Sequence, residues 1–354
     1  MAHRIARGLC ALAVVTVVGC GGSGPSGSAE RGGSAGAASG RKGVKFVGFD
    51  ASSRLVEAIR EGKLHGTVVQ DPIRMGNLGV KTLVAHLEKE PVEATVSTGE
   101  TLITPENIDS AEVEALIKPP RVPHSQDAPA GGPKAKKWRV MVIPKGTTHE
   151  FWQSIHAGAL KAADELGNVE IFWKGPQKED ERSDQIGLVQ NAIAVGVDGI
   201  VLAPLDAKAL VEPVERAIAK GIPVVIIDSG LDSKRIVSYV ATDNYHGGVL
   251  AARRLGELLK GEGRIILLRY AEGSESTVRR EKGFTDTIEK EFPKIVYLSD
   301  NQYAGATADQ AQQKSQSLVT RFRDKIDGVF CPNESSTLGM LRALEGAGLL
   351  PGRP

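Results

Sequence analysis

The feature that most constrains this fold is a regular alternation of short apolar runs with longer amphipathic segments. Runs rich in Val, Ile and Leu without polar alternation are typical of strands buried on both faces of a parallel sheet. Amphipathic segments between them predict helices that cover such sheets. About ten strands fit two sheets better than one, so we expect an α/β fold with two doubly wound parallel-sheet lobes. The predicted strands are 44–49, 67–69, 139–143, 169–173, 199–202, 224–227, 239–241, 265–269, 295–298 and 328–330, and the helices include 151–166, 184–195, 207–220, 246–259 and 335–347.

Composition limits the domain organisation and the partners. A chain of 354 residues with 41% hydrophobic content can bury one or two sizeable cores. The formal net charge is +1, so nothing indicates a nucleic-acid partner. Residues 21–43 are rich in Gly, Ser and Ala, which predicts a flexible tether. Residues 119–137 are rich in Pro and Lys, and a structureless stretch of that length is better interpreted as a linker.

The first twenty residues have the features of an export signal. Arg4 and Arg7 precede an apolar run at 9–18 that is too short to span a membrane. The Val-Val-Gly-Cys ending resembles a bacterial lipobox, in which Cys20 is acylated and becomes the mature N-terminus. An ordinary signal peptide with an incidental cysteine is the alternative. The lipobox predicts a periplasmic or cell-envelope protein held on the membrane by a lipid anchor, since a diacylglyceryl cysteine supplies more than one acyl chain.

Polar and aromatic side chains stand just after several predicted strands. In doubly wound folds the carboxyl ends of parallel strands are where ligands bind. Aromatic faces cover the apolar face of a sugar ring, and polar side chains form hydrogen bonds with its hydroxyls. Each residue also has a structural alternative: Asp50 and Asp228 as turn formers, Asn333 as a helix cap, Phe151 and Trp152 as core. The candidates on this basis are Asp50, Gln70, Lys145, His149, Phe151, Trp152, Asp228, Ser229, Arg280 and Asn333.

Several strings of the chain resemble the ribose/galactose-type periplasmic sugar-binding proteins, which have the type I periplasmic binding protein fold. The resemblance covers nearly all of 44–118 and 138–350, and the strings are 241–244 (ATDN), 280–284 (REKGF), 333–334 (NE), 47–50 (VGFD) and 70–72 (QDP). It implies two lobes joined by a hinge around a sugar-binding cleft. The implied cleft aromatics are Phe151, Trp152 and Tyr303, and the implied hydroxyl-binding residues are Asp228, Arg280, Asn333, Asp50 and Gln70.

Departures from the ribose-binding pattern concern the ligand. This chain has Thr148-His149-Glu150 where ribose binders have Asn-Asn-Pro before the cleft aromatics, and Ser229 where they have Arg. Lys145 adds a cation where a small polar residue is usual. The resemblance therefore implies a sugar or sugar-like ligand and does not select ribose.

The order of the segments differs from that of the family. Residues 44–118 resemble its closing quarter, and 138–354 contain the portion that resembles its opening three quarters. A circular permutation accounts for this order, with 119–137 joining the ancestral ends. It predicts one lobe from 138–241 and 71–99, another from 242–354, 44–70 and 100–118, hinges near 241–243, 70–71 and 98–101, and strand 44–49 beside 328–330. An assembly artefact or a strand exchanged between chains is the alternative.

Four classes of function share parts of this pattern. The leading hypothesis is a monomeric solute-binding protein that closes on a sugar and passes it to an ABC transporter permease. A ligand-sensing module that presents its closed form to a membrane receptor would use the same cleft. A repressor of this fold needs a helix-turn-helix, and residues 1–43 suggest a leader and tether instead. A secreted glycan-active enzyme has least support, because no nucleophile elbow, HExxH or phosphate loop occurs, and we expect no cofactor or metal.

Overall fold

The computed structural model describes residues 43–117 and 137–351, and within them the chain forms twelve strands and ten helices. The strands are β1 (Lys45–Phe49), β2 (Gly66–Gln70), β3 (Thr95–Ser97), β4 (Glu100–Ile103), β5 (Trp138–Ile143), β6 (Val169–Trp173), β7 (Gly199–Leu202), β8 (Val224–Ile227), β9 (Ser238–Ala241), β10 (Glu262–Arg269), β11 (Lys294–Tyr303) and β12 (Gly328–Phe330). The helices are α1 (Ser53–Arg60), α2 (Pro72–Leu87), α3 (Ala111–Ile117), α4 (Glu150–Leu166), α5 (Arg182–Val195), α6 (Val211–Ala219), α7 (Asn244–Leu258), α8 (Glu275–Glu291), α9 (Ala308–Phe322) and α10 (Glu334–Gly346). The leader with Cys20 lies outside the described residues, as do most of the tether and linker.

One sheet has the order β3-β9-β8-β7-β5-β6 and is parallel throughout. The strands β7 and β8 are buried along their whole length, which explains their continuous apolar sequences. Helices α2 and α4 pack on one face of this sheet, and α5 and α6 pack on the other. We call this sheet and its helices the first lobe.

The other sheet has the order β11-β10-β12-β1-β2-β4, and only the edge pair β2–β4 is antiparallel. Helices α7 and α8 cover one face, while α1, α3, α9 and α10 cover the other. We call this the second lobe. Two largely parallel sheets with helices on both faces confirm the predicted α/β class. Among the described helices, none combines the length and the apolar character required to cross a bilayer.

The first strand of the chain docks in the middle of the second sheet. Strand β1 lies between β12 and β2, with Lys45 opposite Gly328 in a parallel register, as the sequence predicted. The Val44 amide donates to the Leu349 carbonyl at 3.0 Å, so the end of 137–351 runs directly into the start of 43–117 in space.

Within 43–117 and within 137–351, the chain crosses between the lobes at three places: between β2 and α2, between β3 and β4, and between β9 and α7. Asp71 and Asp243 start the helices after two crossings, where their side chains accept from the amides three residues later. The Thr98 amide donates to the Ala241 carbonyl at 3.0 Å and ties two crossings together. The crossings contain the positions predicted as hinges.

Helix α6 begins at Val211, four residues later than predicted. The Asp206 carboxylate accepts hydrogen bonds from the amides of Lys208 and Ala209 at 2.9 and 2.8 Å. Side-chain bonds of this kind offer the backbone an alternative to the helix, which explains the shorter element.

Candidate functional site

A cavity between the two lobes is lined by residues that follow strands of both sheets. All predicted site residues except Ser229 and Tyr303 take part in this lining. The predicted residues that line it are Asp50, Gln70, Lys145, His149, Phe151, Trp152, Asp228, Arg280 and Asn333.

Asp50 and Asp228 hold equivalent positions in the two lobes. Each follows a strand directly and adopts a left-handed backbone, with φ of 67° and 62°. Asp tolerates this conformation better than most residues, and such strain collects at functional sites. Both residues are also buried cavity-lining groups. Asp50 and Asp228 therefore each form the turn after a strand and also line the cavity.

The Asp50 carboxylate organises the second-lobe side of the cavity. It accepts from Gln70 Nε2 at 2.7 Å and from the Glu334 amide at 3.0 Å. Burial raises the pKa of Asp50 above its ordinary value, and the positive charge of Arg280 opposes that rise. Gln70 Oε1 is buried and has no hydrogen-bond partner among the described residues. One acceptor thus remains for another molecule.

Arg280, on α8, is fixed from three sides. Its Nε donates to Asn244 Oδ1 at 2.8 Å, its Nη1 donates to the Pro332 carbonyl at 3.0 Å, and its guanidinium lies 3.9 Å from the centre of the Phe49 ring. Its Nη2 is buried without a hydrogen-bond partner among the described residues. A rigidly held cation with a free donor is well placed to bind a hydroxyl or carboxylate oxygen.

Lys145 and Asp228 form a buried ion pair on the first-lobe side. Lys145 Nζ lies 2.9 Å from Asp228 Oδ2 and also donates to Ser276 Oγ of the second lobe at 3.2 Å. The prediction for Ser229 is corrected here. Its side chain accepts from the Ser276 amide at 3.1 Å and joins the lobes, so it does not line the cavity.

Glu179 collects three hydrogen bonds from cavity residues. It accepts from His149 Nδ1 at 2.8 Å, from Trp152 Nε1 at 2.7 Å and from the Tyr270 hydroxyl of the other lobe. Burial disfavours its charge, but the hydrogen bond and charge of His149 prevail and lower the pKa of Glu179 to about 2. Burial likewise disfavours the imidazolium, but Glu179 raises the pKa of His149 to about 9. The two side chains are therefore an ion pair at neutral pH.

Glu334 and Asn333 begin helix α10. Burial raises the pKa of Glu334 to about 7, with the His149 charge opposing the rise and the Asp50 charge adding to it. Near neutral pH this carboxyl group can donate or accept a hydrogen bond. Asn333 Oδ1 accepts from the Ser336 amide at 3.2 Å, so the helix-capping alternative is observed together with a position in the cavity lining.

The aromatic side chains follow the prediction in part. Phe151 and Trp152 pack edge to face, with centroids 4.9 Å apart. Trp152 also belongs to the first-lobe core, as its structural alternative proposed. The expected position of Tyr303 in the cavity lining is not observed: it ends the edge strand β11, is 38% exposed and is absent from the lining. The second lobe contributes Tyr270 instead, which directly follows β10, an inner strand.

Five lining residues were missing from the predicted set. Tyr270 and Glu334 lie just after predicted strands, so the search for polar and aromatic residues at strand ends could have found them. Glu179 lies in the loop after β6, further from the end of its strand, and that search would not select it. The missed residues are Glu179, Tyr270, Ser276, Thr277 and Glu334. The space left among all lining groups is about 30 Å³, close to the volume of one water molecule in the liquid. Most polar groups of the cavity pair within their own lobe, and the pairs Lys145–Ser276 and Glu179–Tyr270 join the two lobes.

Comparison with known proteins identifies the family. The model of the periplasmic binding protein domain matches residues 11–91 and 140–354, which is most of the chain. The chain belongs to this family. Its two parallel sheets agree with those of type I periplasmic binding proteins.

Individual relatives match shorter stretches. The xylitol-binding protein of Mycolicibacterium smegmatis is 30% identical over 181 residues, 51% of this chain and 51% of the relative. The D-ribose/D-allose-binding protein of Pseudomonas aeruginosa is 29% identical over 220 residues, 60% of this chain and 68% of the relative. An ABC transporter solute-binding protein from Agrobacterium vitis with bound D-fucose superposes with a TM-score of 0.57 at 34% identity, covering 60% of this chain and 73% of that one. The chain thus spans about half of the first relative's length.

Proposed function

We propose that this protein is an extracytoplasmic solute-binding protein that captures a sugar or sugar-like molecule for an ABC importer. The observation that carries the proposal is the pair of buried, unpartnered atoms in the cleft, the donor Arg280 Nη2 and the acceptor Gln70 Oε1. A hydroxyl group both donates and accepts, so the hydroxyls of a sugar can provide the acceptor that Arg280 lacks and the donor that Gln70 lacks. Phe151 lines the same cavity and adds aromatic surface to it. The named ligands of the relatives, xylitol, ribose, allose and fucose, support a polyhydroxylated ligand.

The capture step is a closure of the lobes about the three crossings. The cleft side chains come from both lobes, and contacts such as Lys145–Ser276 and Glu179–Tyr270 join them. Opening the cleft would break these contacts, and a ligand that touches both lobes would favour the closed form. We assign binding rather than catalysis to the cleft, because Asp228 and Glu179 are each neutralised by a cation.

Arg280 provides the direct test of this function. We expect at least one of D-ribose, D-allose, D-fucose and xylitol to raise the melting temperature of the protein. Arg280→Ala should weaken binding of that ligand about thirtyfold in calorimetry, since loss of a charged donor costs about 2 kcal/mol. Arg279→Ala, on the same helix with a side chain 56% exposed, is the matched control. Equal affinity in a folded Arg280→Ala protein would place the site elsewhere.

The membrane anchor is a separate proposal. Acylation of Cys20 would hold the protein at the cell envelope, near its permease. We expect cells fed a radiolabelled fatty acid to incorporate label into the wild-type protein and not into Cys20→Ala. Label in both proteins, or in neither, would rule out acylation at Cys20.

A further inference from the structure

A second, larger space adjoins the cavity between the lobes. This groove has a volume of about 940 Å³. One wall is a single face of α4 in the first lobe, formed by Glu150, Gln153, Ser154 and Ala157, whose spacing places them on one side of a helix. The opposite wall comes from the start of α1 and the end of α3 in the second lobe, and the crossing from β2 to α2 lies between them.

The groove lies directly beside the inner cavity. Asp50, Gln70, Phe151 and Glu334 line both spaces. These shared residues include the Gln70 acceptor that has no partner within the described part of the chain, and the Glu334 carboxyl group whose charge is disfavoured by burial. A molecule bound at these residues would therefore lie at the border between the small cavity and the groove.

The chemistry of the groove resembles that of a sugar subsite. Thr148, Gln153 and Ser154 offer hydroxyl and amide groups, while Ile73 and Ala157 offer small apolar surfaces. Alternating polar groups and apolar patches match the hydroxyls and C–H faces of a glycosyl unit. Contacts from both lobes would also make an occupant of the groove favour lobe closure.

Glu150 forms hydrogen bonds across one part of the groove. Its Oε2 accepts from the Ser53 amide at 3.2 Å and from the Ser53 hydroxyl at 3.0 Å, so the two walls are linked. Both partners are exposed, and a ligand hydroxyl can replace such a bond at little cost. The groove can therefore accept part of a ligand once this exposed hydrogen bond is replaced.

We propose that the ligand is longer than a monosaccharide: a disaccharide or longer glycoside with its next unit in the groove and its terminal unit at the inner cavity. The lobes must move apart to admit the terminal unit, because the cavity between them holds only about 30 Å³ in this structure. The inference rests on the proposed sugar-binding function and specifies its ligand class. The inner cavity selects the terminal sugar through Arg280, Asp50 and Gln70. The groove adds affinity for the second unit.

Calorimetry with matched sugars tests the length of the ligand. The probes are D-xylose against xylobiose, D-glucose against cellobiose and maltose, and D-galactose against lactose and melibiose. We expect the disaccharide of at least one set to bind at least tenfold more tightly than its monosaccharide. If a monosaccharide binds and every disaccharide binds equally, more weakly or not at all, the inference about ligand length is overturned and the proposal of sugar binding is retained. Failure of every sugar of either length, including the relatives' ligands, overturns the proposed function and this inference together.

Variants on α4 separate the groove from the inner cavity. Ala157→Trp should fill the groove and lower the ratio of disaccharide to monosaccharide affinity at least tenfold. Gln153→Ala, at an exposed position that folding tolerates, should lower it severalfold. Lys161→Trp is the control, since this side chain lies one turn beyond Ala157 and is 50% exposed. An unchanged ratio of disaccharide to monosaccharide affinity in both groove variants would overturn the assignment of the second subsite. Octyl glucoside is a further probe, because it carries an apolar chain in place of a second sugar. The assignment would also be overturned if octyl glucoside bound more tightly than glucose while no disaccharide did.

Discussion

The carboxylates of the cleft each have partners from a different element of the fold. Asp50 meets Gln70, Asp228 meets Lys145, and Glu179 meets His149. Such networks hold polar groups in place before a ligand arrives, and removal of one member leaves another buried and unpaired. The arrangement explains how a buried, highly charged cleft can exist between two hydrophobic cores.

Glu334 makes the stability of the protein depend on pH. Its pKa in the folded protein is about 7 against an ordinary value of 4.5, so the folded state holds the proton more tightly than the unfolded state. The contribution of this group to the free energy of unfolding is therefore fully present below pH 4.5. It is lost as the pH rises from 4.5 to about 7, and above about pH 7 the group causes no further change in stability. We expect Glu334→Gln to raise the melting temperature at pH 8 relative to wild type, and to have little effect at pH 4.5.

The measurement for Glu334 is thermal unfolding across that pH range, followed by a fluorescent dye. Glu289→Gln, at an exposed position on α8, is the control and should shift the melting temperature by the same small amount at every pH. A Glu334→Gln protein that is less stable than wild type at pH 8 would show that the ionised carboxylate is stabilised in the fold.

At the scale of elements, one helix pair in each lobe packs backbone against backbone. A Cβ on Gly158 of α4 would overlap the Ile73 carbonyl of α2, and a Cβ on Gly248 of α7 would overlap the Arg280 carbonyl of α8. Glycine is required at these positions because no side chain fits between the helices. The close approach positions the start of α4, with Phe151, and the middle of α8, with Arg280, at the cleft.

Substitution of Gly158 should therefore be costly. We expect Gly158→Ala to lower the free energy of unfolding by about 2 kcal/mol, because the added methyl group forces α2 and α4 apart. Gly187→Ala in α5 has open space around it, and should raise that free energy by about 0.5 kcal/mol or more through its better helix propensity. Urea unfolding of both variants provides the measurement. Similar effects from the two substitutions would contradict the close packing.

At the scale of the whole molecule, a circular permutation would account both for the order of the segments and for the partial alignments with relatives. The family model matches in two separate stretches, and the relatives compared above each align over only 51–60% of the chain. A Cβ on Gly43 would lie 3.3 Å from Pro351 Cδ, so the two ends that the ancestral chain would have joined are in contact. We propose that 44–118 is the ancestral C-terminal segment and 119–137 the new connection.

Reordering the chain tests the permutation. A protein with residues 137–351 followed directly by 43–117 removes the linker and restores the proposed ancestral order. We expect it to fold, to bind the same ligand with an affinity within about twofold of the parent, and to melt at the same temperature or higher, because the new junction is short. Co-expression of the two segments as separate chains is the control, and its stability should depend on protein concentration. A reordered chain that fails to fold while the separate segments assemble would overturn the proposal.

The sequence by itself determined the α/β class, most of the strands and the greater part of the cleft. The apolar residues of each strand indicate by themselves that the strand is buried in a sheet. In a parallel sheet the residues that follow such strands all lie at the same edge. Asp50 and Asp228 were found in this way, and the role of Arg280 was inferred from the resemblance of residues 280–284 to the family. Strands β3 and β4 were missed because they are short and largely lack buried side chains.

Only the tertiary structure decided which strand ends face each other. Tyr303 ends β11, at the edge of the second sheet, and its side chain is 38% exposed. Tyr270 follows β10, which lies inside the sheet, and it lines the cavity. Glu179 enters the cleft through a loop whose path depends on contacts with the other lobe. Strand order and loop path are set by contacts between residues far apart in the chain, and no local pattern of residues records them.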